Sequence, residues 1–140
     1  MPYDLDRFRD AQEGVYPGVL EDLRSGRKAG HWIWFIFPQI AGLGRSSMSQ
    51  RYSIVSLDEA RAYLADPVLG TRLRESASTI LTAKGRTADE IFGALDAMKV
   101  RSSMTLFLRA ASDEPLFQQA LDRFYDGIPD AATDALLGLA

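Results

Sequence analysis

The amino-acid sequence predicts a mainly α-helical protein that forms a single compact domain over residues 1–140, with about six to eight helices. Three observations predict this fold class. Apolar residues recur at intervals of three and four along most segments, which is the period of one helix face. Two capping sequences of the S/T-x-x-E type, at 56–59 and 87–90, are typical of helix N-termini. Glycine and proline separate the segments, and 140 residues are enough to bury a core without disulfides.

The predicted helices of the first half begin at polar or proline signals and end at glycine. The start signals are Asp4, Pro17, the capping sequence at Ser56, and Asp66 with Pro67. The second and fourth of these helices are expected to end at Gly26 and Gly85, because glycine readily adopts the left-handed conformation that closes a helix.

The second half contains four further predicted helices. Thr87 begins a short helix, and the apolar period predicts a further helix over residues 95–111, with Met98, Met104 and Phe107 expected on its buried face. Glu114 precedes a proline that begins the next helix, and residues 130–139 form the last.

The conformation of residues 31–39 is left open by their pattern. Aromatic and β-branched residues favour a short extended aromatic segment near 31–38, but a buried helical turn fits equally well, because a short apolar run does not reveal its period. No second convincing strand is predicted with which it could pair its backbone. The mainly helical interpretation is therefore preferred.

The composition excludes several classes of site. The chain has no cysteine and one histidine, which rules out disulfides, thiol nucleophiles and metal sites built from several histidines. We predict neither a metal nor another cofactor. The net charge of −3 argues against general nucleic-acid binding, for which a strongly basic face is typical.

Two features favour a cytoplasmic protein of bacterial type. The first ten residues carry acidic side chains and lack the apolar stretch of a signal peptide. The longest apolar run, residues 32–38, is too short to span a bilayer, so no membrane partner is expected.

The most unusual segment is RKAGHWIWFIFPQIAGLGRSSMSQRY at 27–52, which holds both tryptophans and the only histidine. His31 is the candidate catalytic residue, as a general base or a donor to a ligand oxygen, and the alternative is a neutral structural histidine. The aromatic rings either pack in a core or form a wall for a planar ligand. The candidate ligand-binding residues of this part are Trp32, Trp34, Gln39 and Tyr52.

Within that segment, two glycines lead into a turn that is expected to run into a helix. Exposed N–H groups, hydroxyls and a guanidinium are typical of an anion site, which makes Arg45, Ser46 and Ser47 candidate ligand-binding residues. The alternative is that a serine caps the helix. The pattern is neither a Walker motif nor a dinucleotide fingerprint.

A second polar cluster, KVRSSMT at 99–105, lies within an otherwise apolar helix. Its candidate ligand-binding residues are Lys99, Arg101 and Ser103, and the alternative is a solvated helix face or a close helix contact. The sequence Arg-Ser-Ser-Met occurs at both 45–48 and 101–104. We therefore hypothesise that the two segments converge on one anionic ligand.

Three stretches, HWIWFIFPQIAGLGRSSMSQRY, EARAYLADPVLG and EIFGALDAMKVRSSMTLF, resemble the small bacterial family called domain of unknown function 1810. The resemblance covers nearly the whole chain and implies a mainly helical domain, without an established activity. Some members carry the label calpastatin, but this composition is unlike that of a disordered protease inhibitor. At Asp66 the sequence departs from the family's usual histidine.

These features support two hypotheses about function. The first is a site for an anionic small molecule, phosphorylated or nucleotide-like, which would leave open whether the protein is an enzyme. The second is a non-catalytic module for protein interaction or self-association through the tryptophan-rich segment, with a homo-oligomer as one form. Buried tryptophans beside a cleft would favour the first hypothesis, and an exposed flat patch the second.

Overall fold

The computed structural model describes residues 3–83 and 85–139, and in these residues the mainly helical fold class is confirmed. They form ten helices and no strand. The helices are α1 (Asp6–Gln12), α2 (Tyr16–Ser25), α3 (Ile33–Ile36), α4 (Ser47–Arg51), α5 (Leu57–Ala65), α6 (Leu69–Ile80), α7 (Ala88–Phe92), α8 (Ala94–Ala110), α9 (Pro115–Tyr125) and α10 (Ala131–Leu136). The short helices α3 and α4 bring the number above the predicted six to eight. None of the helices in these residues has the length and apolar character that a bilayer crossing needs.

Helix boundaries follow the predicted signals in most places. Gly26 ends α2 with φ +76°, and the hydroxyl of Thr87 and the carboxylate of Glu90 cap each other's backbone at the start of α7. Ser56 caps α5, but the side chain of Glu59 accepts from the N–H of Val55 instead of completing a capping box. Helix α6 ends at Ile80, earlier than predicted.

The core is built around α8, which packs against α5, α7, α9 and α10. Its buried side chains include Val100, Met104 and Phe107, as the apolar period predicts. The expectation for Met98 is wrong, because that side chain is 68% exposed. It lies two positions before Val100 in the helix, and a helical rotation of about 200° over two residues turns it away from the core.

Residues 33–36 adopt the helical alternative, as helix α3. Extended pairing follows only later, at an isolated parallel bridge between Ile40 and Ile54. The N–H of Ala41 donates to the carbonyl of Ile54 at 2.8 Å, and the N–H of Ile54 donates to the carbonyl of Gln39 at 2.8 Å. These two bonds close residues 41–53 into a loop that carries α4 and lies beside α8.

Candidate functional site

A cleft of about 280 Å³ lies between the loop of residues 39–49, helix α8 and the start of α10. Its size is near the lower end of ordinary ligand pockets, which begin at about 300 Å³. Ten side chains or backbone segments line it: Gln39, Leu43, Gly44, Ser49, Leu95, Met98, Lys99, Ser102, Asp130 and Ala132. The lining combines an apolar surface with a small number of polar groups, as is common for small-molecule sites.

One wall of the cleft carries a positive charge at Lys99. Its ammonium lies 5.6 Å from the ring centroid of Trp34 and 3.2 Å from a carboxylate oxygen of Asp96. The other oxygen of Asp96 binds the ammonium of Lys28 at 2.9 Å. Two lysines thus share one carboxylate, which leaves the group of three with a net charge of +1.

The two lysines favour the charged form of Asp96. Burial acts to raise the pKa of its carboxyl, but the hydrogen bonds and charges of Lys28 and Lys99 outweigh that and hold the pKa below its usual range. The side chain of Lys28 is 8% exposed, and its ammonium also donates to the carbonyl of Gly30 at 2.6 Å. Lys28 is therefore a structural link, whereas Lys99 faces the cleft.

The lining of the cleft also carries a negative charge at Asp130. One of its oxygens accepts from the N–H and the hydroxyl of Thr133, at 2.9 and 2.6 Å, and caps α10. The same oxygen lies 3.2 Å from the hydroxyl of Ser102 on α8. Asp130 forms no ion pair with any residue in 3–83 or 85–139.

The apolar part of the cleft surface is unusually accessible. Leu95 and Met98, one turn apart on α8, are 77% and 68% exposed. Leu43 and Ala132 face the same space from the loop and from α10. These two side chains offer apolar surface beside the cleft for contact with a ligand or a partner.

Of the residues predicted from the sequence, the cleft brings together Gln39 and Lys99, with Trp34 beneath the lysine. Trp34 is half-buried, and the amide side chain of Gln39 has no hydrogen-bond partner within the described part of the chain. These three residues come from the two separate sequence clusters.

Trp32 and His31 belong to a loop that is held by hydrogen bonds to Asp22, and neither residue is part of the described lining of the cleft. One carboxylate oxygen of Asp22 accepts from the indole N–H of Trp32 at 2.9 Å and from the backbone N–H groups of Ala29 and Gly30. Burial opposes ionisation of Asp22, but these hydrogen bonds and Lys28 lower its pKa. Trp32 is buried, and His31 is exposed with no side-chain hydrogen bond to the described residues.

The predicted anion turn acts mainly as a helix start. Ser46 caps α4 by accepting from the N–H of Ser49, so the capping alternative holds for this serine. Arg45 and Ser47 are exposed, and neither is part of the described lining of the cleft. Tyr52 is buried against the rings of Phe8 and Phe35, with centroid distances of 5.9 and 5.5 Å.

The two arginines of the repeated Arg-Ser-Ser-Met sequence do not meet in the cleft. The guanidinium of Arg101 donates to the carbonyls of Ile128 and Pro129, at 2.9 and 3.2 Å, and so holds the segment before α10. Ser103 is completely buried, and its hydroxyl finds no partner in the described residues. The residues of this region that do line the cleft are Gly44 and Ser49, which flank the first repeat, and Ser102, which lies within the second.

Two larger cavities, of about 370 and 340 Å³, are both lined by Asp4, Arg7 and Arg51. The guanidinium of Arg7 donates to the carbonyls of Arg51 and Ser53, and it binds the carboxylate of the buried Glu59 at 3.2 Å. Its donors are therefore used in joining α1 to residues 51–59. We interpret this region as structural.

Sequence reasoning missed Ser102, Asp130 and the apolar rim. Ser102 and Ser103 both lie at helical spacing from Lys99, but Ser103 is also three residues from Val100 and four from Phe107, which are core residues. That spacing is a signal that would have separated the two serines. Nothing in the sequence links Asp130 to α8, because the contact is made through the tertiary fold.

No group of three or more potential metal ligands occurs among the residues described.

The family model described as Protein of unknown function (DUF1810) matches residues 2–137. The crystal structure of the conserved hypothetical protein Rv1873 from Mycobacterium tuberculosis is similar over 100% of both chains, with 48% sequence identity and a TM-score of 0.97. Among curated proteins, none matches this chain.

Proposed function

The chain belongs to the family of proteins of unknown function DUF1810, and we propose that its cleft binds a small molecule that joins one anionic group to an apolar body. The observation that carries the proposal is the position of Lys99. Its ammonium lies over the ring of Trp34 at the wall of the cleft, and it shares with Lys28 the one carboxylate that pairs with it among the described residues. An anion at this wall would compensate the remaining positive charge.

The lining favours an anion of low charge. The net charge of the Lys28, Lys99 and Asp96 group is +1, and Asp130 faces the same cleft. A doubly charged phosphate would therefore meet one uncompensated lysine charge and one carboxylate. Among phosphorylated or nucleotide-like ligands, this favours a singly charged phosphodiester, and a carboxylate suits the wall equally well.

The rest of the ligand is expected to be mainly apolar. Leu43, Leu95 and Met98 offer apolar surface, and burying it against a ligand is favourable by about 25 cal/mol for each Å². The amide of Gln39 would orient one polar group of the ligand, because an amide can both donate and accept.

Binding can be tested by thermal shift and tryptophan fluorescence with small anions that carry apolar bodies, such as N-acetyl-leucine, a phenyl phosphodiester and a cyclic nucleotide. A ligand at about 100 times its dissociation constant adds about 2.7 kcal/mol to the free energy of unfolding. We expect at least one of these anions to stabilise the wild type and to lose that effect in Lys99→Gln.

The matched control is Arg24→Gln, since Arg24 is exposed on α2 and has no side-chain bond to the described residues. It should bind as the wild type does. Equal stabilisation of the wild type and Lys99→Gln, or no stabilisation by any of the anions, would contradict the proposal.

The exposed apolar rim favours a second candidate function, self-association through α8. Leu95 and Met98 would then be covered by a second copy of the chain. Sedimentation velocity of the wild type and of Leu95→Lys tests this. A dimer that Leu95→Lys dissociates supports self-association, and a monomer across the concentration range rules it out.

Some predictions from the sequence stay predictions. These are the single domain, the cytoplasmic location and the role of His31 as a general base. The proposed binding does not require catalysis, because His31 is not part of the described lining of the cleft.

A further inference from the structure

The lining of the cleft carries both a positive and a negative charge, and from this pair of charges we propose that the ligand is a short apolar zwitterion, an amino acid or a dipeptide. The inference rests on the proposed function and adds a second requirement to it. The anionic group of the ligand faces Lys99, and a cationic amine of the same molecule faces Asp130.

Asp130 is suited to bind an amine because no cationic side chain of the described residues forms an ion pair with it. Its hydrogen bonds come from neutral donors, the N–H and hydroxyl of Thr133 and the hydroxyl of Ser102. All of these reach one carboxylate oxygen, and the other oxygen accepts no bond from the described residues. An ammonium group is the natural partner for a carboxylate in this state.

The positions of Asp96 and Ser102 on α8 give an approximate length for the ligand. The ammonium of Lys99 reaches Asp96, at 3.2 Å, and the carboxylate of Asp130 reaches Ser102, at 3.2 Å. Asp96 and Ser102 are six residues apart, which is about 9 Å along the helix axis, and the turn of the helix adds a sideways offset. With a hydrogen bond of about 3 Å at each end, one amino acid spans about 9 Å and an extended dipeptide about 13 Å, so both lengths are tested.

The apolar rim accounts for the remainder of such a ligand. Leu43 lies on one side of the cleft, and Leu95 and Met98 lie on the other. An aliphatic or aromatic side chain between them would cover two of the most exposed apolar residues of α8. A strongly polar or a dianionic ligand would leave this surface in water.

The test is calorimetric titration of the full chain with leucine and leucyl-leucine, each compared with its N-acetyl form and its C-terminal amide. The N-acetyl form retains only the negatively charged carboxylate, and the C-terminal amide retains only the positively charged amine. We expect the zwitterion to bind about tenfold or more tightly than either blocked form, because each blocked form loses one charge-assisted contact.

Asp130→Asn isolates the new contact, because asparagine caps helices about as well as aspartate and removes only the charge. This variant should bind the zwitterion about tenfold more weakly and bind the N-acetyl form with unchanged affinity. The control is Asp113→Asn, at an exposed position without a side-chain bond to described residues, which should change the affinity for neither form. Lys99→Gln should weaken the binding of both the zwitterion and the N-acetyl form.

The failures of the two proposals differ. If the N-acetyl form binds as tightly as the zwitterion, and Asp130→Asn has no effect while Lys99→Gln does, the zwitterion is overturned and the anion site stands. If no form binds, the zwitterion is overturned, and the phenyl phosphodiester and the cyclic nucleotide then decide the anion site. If binding does not depend on Lys99, both proposals are overturned.

Discussion

The carboxylate of Asp96 binds the ammonium of Lys28 at 2.9 Å and thereby ties the loop after α2 to the first turn of α8. The same loop is held a second time, since the N–H of Lys28 donates to the carbonyl of Ile91 at 2.7 Å. The cation at the cleft, Lys99, binds the other oxygen of Asp96. A structural link and a candidate binding group therefore depend on one side chain.

Asp96→Asn should lower the free energy of unfolding at pH 7 by about 1–2 kcal/mol, because it leaves the largely buried Lys28 without its counter-charge. The pKa of Asp96 is lowered in the folded protein. Its stabilising contribution is therefore complete above the ordinary aspartate pKa of about 3.9 and is lost as the pH falls through the folded value.

Urea unfolding of the wild type and Asp96→Asn between pH 7 and pH 2 measures this contribution. The difference between the two proteins should narrow below about pH 4. Asp113→Asn serves as the exposed control. A difference that stays constant down to pH 2 would show that charge on Asp96 is not what stabilises the fold.

Gly70→Ala should destabilise the protein by about 1–3 kcal/mol or more, because the added methyl overpacks the contact between α5 and α6. A Cβ at this position would lie 2.1 Å from the carbonyl oxygen of Leu64, a backbone atom that cannot rotate away. Gly18→Ala in α2 is the matched control, because nothing lies within 4 Å of its Cβ position. It should stabilise by about 0.5–1 kcal/mol. Thermal unfolding measures both, and equal effects would argue against a close helix contact at Gly70.

Ser103→Ala should raise the free energy of unfolding by about 0.5–1 kcal/mol, since it removes a buried hydroxyl without a partner among the described residues. Ser102→Ala should have a free energy of unfolding about 1 kcal/mol lower than that of Ser103→Ala, because it removes a hydroxyl that contacts Asp130. Chemical denaturation of the two variants gives the comparison. If Ser103→Ala destabilises the fold more than Ser102→Ala does, the hydroxyl of Ser103 contributes to stability and the prediction is wrong.

His31→Ala should change the free energy of unfolding by less than about 0.5 kcal/mol, as is usual at exposed positions. Asp22→Ala, in contrast, should cost about 2–3 kcal/mol, because three donors lose one carboxylate oxygen. Glu21→Ala, on the exposed neighbour of Asp22, is the control. Near-ultraviolet circular dichroism should report the loss of order around Trp32 only in Asp22→Ala. A similar loss in His31→Ala would assign the histidine a structural role.

Much of the fold follows from signals that act within one helix turn. The caps at Thr87 and Asp130 and the left-handed glycine at Gly26 depend on neighbours along the chain, so the sequence contains what is needed to predict them. The end of α6 is different. Its last turn stops at Ile80, and Gly85 could not indicate this because several residues separate the two.

The candidate site was predictable only in part, because its contacts join distant segments. Lys99 and Gln39 stood out as polar residues in apolar surroundings, and both line the cleft. Arg101 stood out in the same way, but its guanidinium binds the backbone carbonyls of residues 128 and 129. A sequence pattern does not predict such contacts with a distant backbone segment. Leu95 and Met98 were missed for the opposite reason, because an apolar residue in a helix is ordinarily expected in the core.

The bridge between Ile40 and Ile54 has a consequence for the local stability of the cleft. Residues 41–53 carry Leu43, Gly44 and Ser49, and the bridge closes this loop with two backbone hydrogen bonds. Breaking two such bonds requires far less free energy than unfolding the helices around α8. We therefore expect the amide protons of Ala41 and Ile54 to exchange with solvent through a local opening, and a bound ligand that bridges the loop and α8 to slow that exchange.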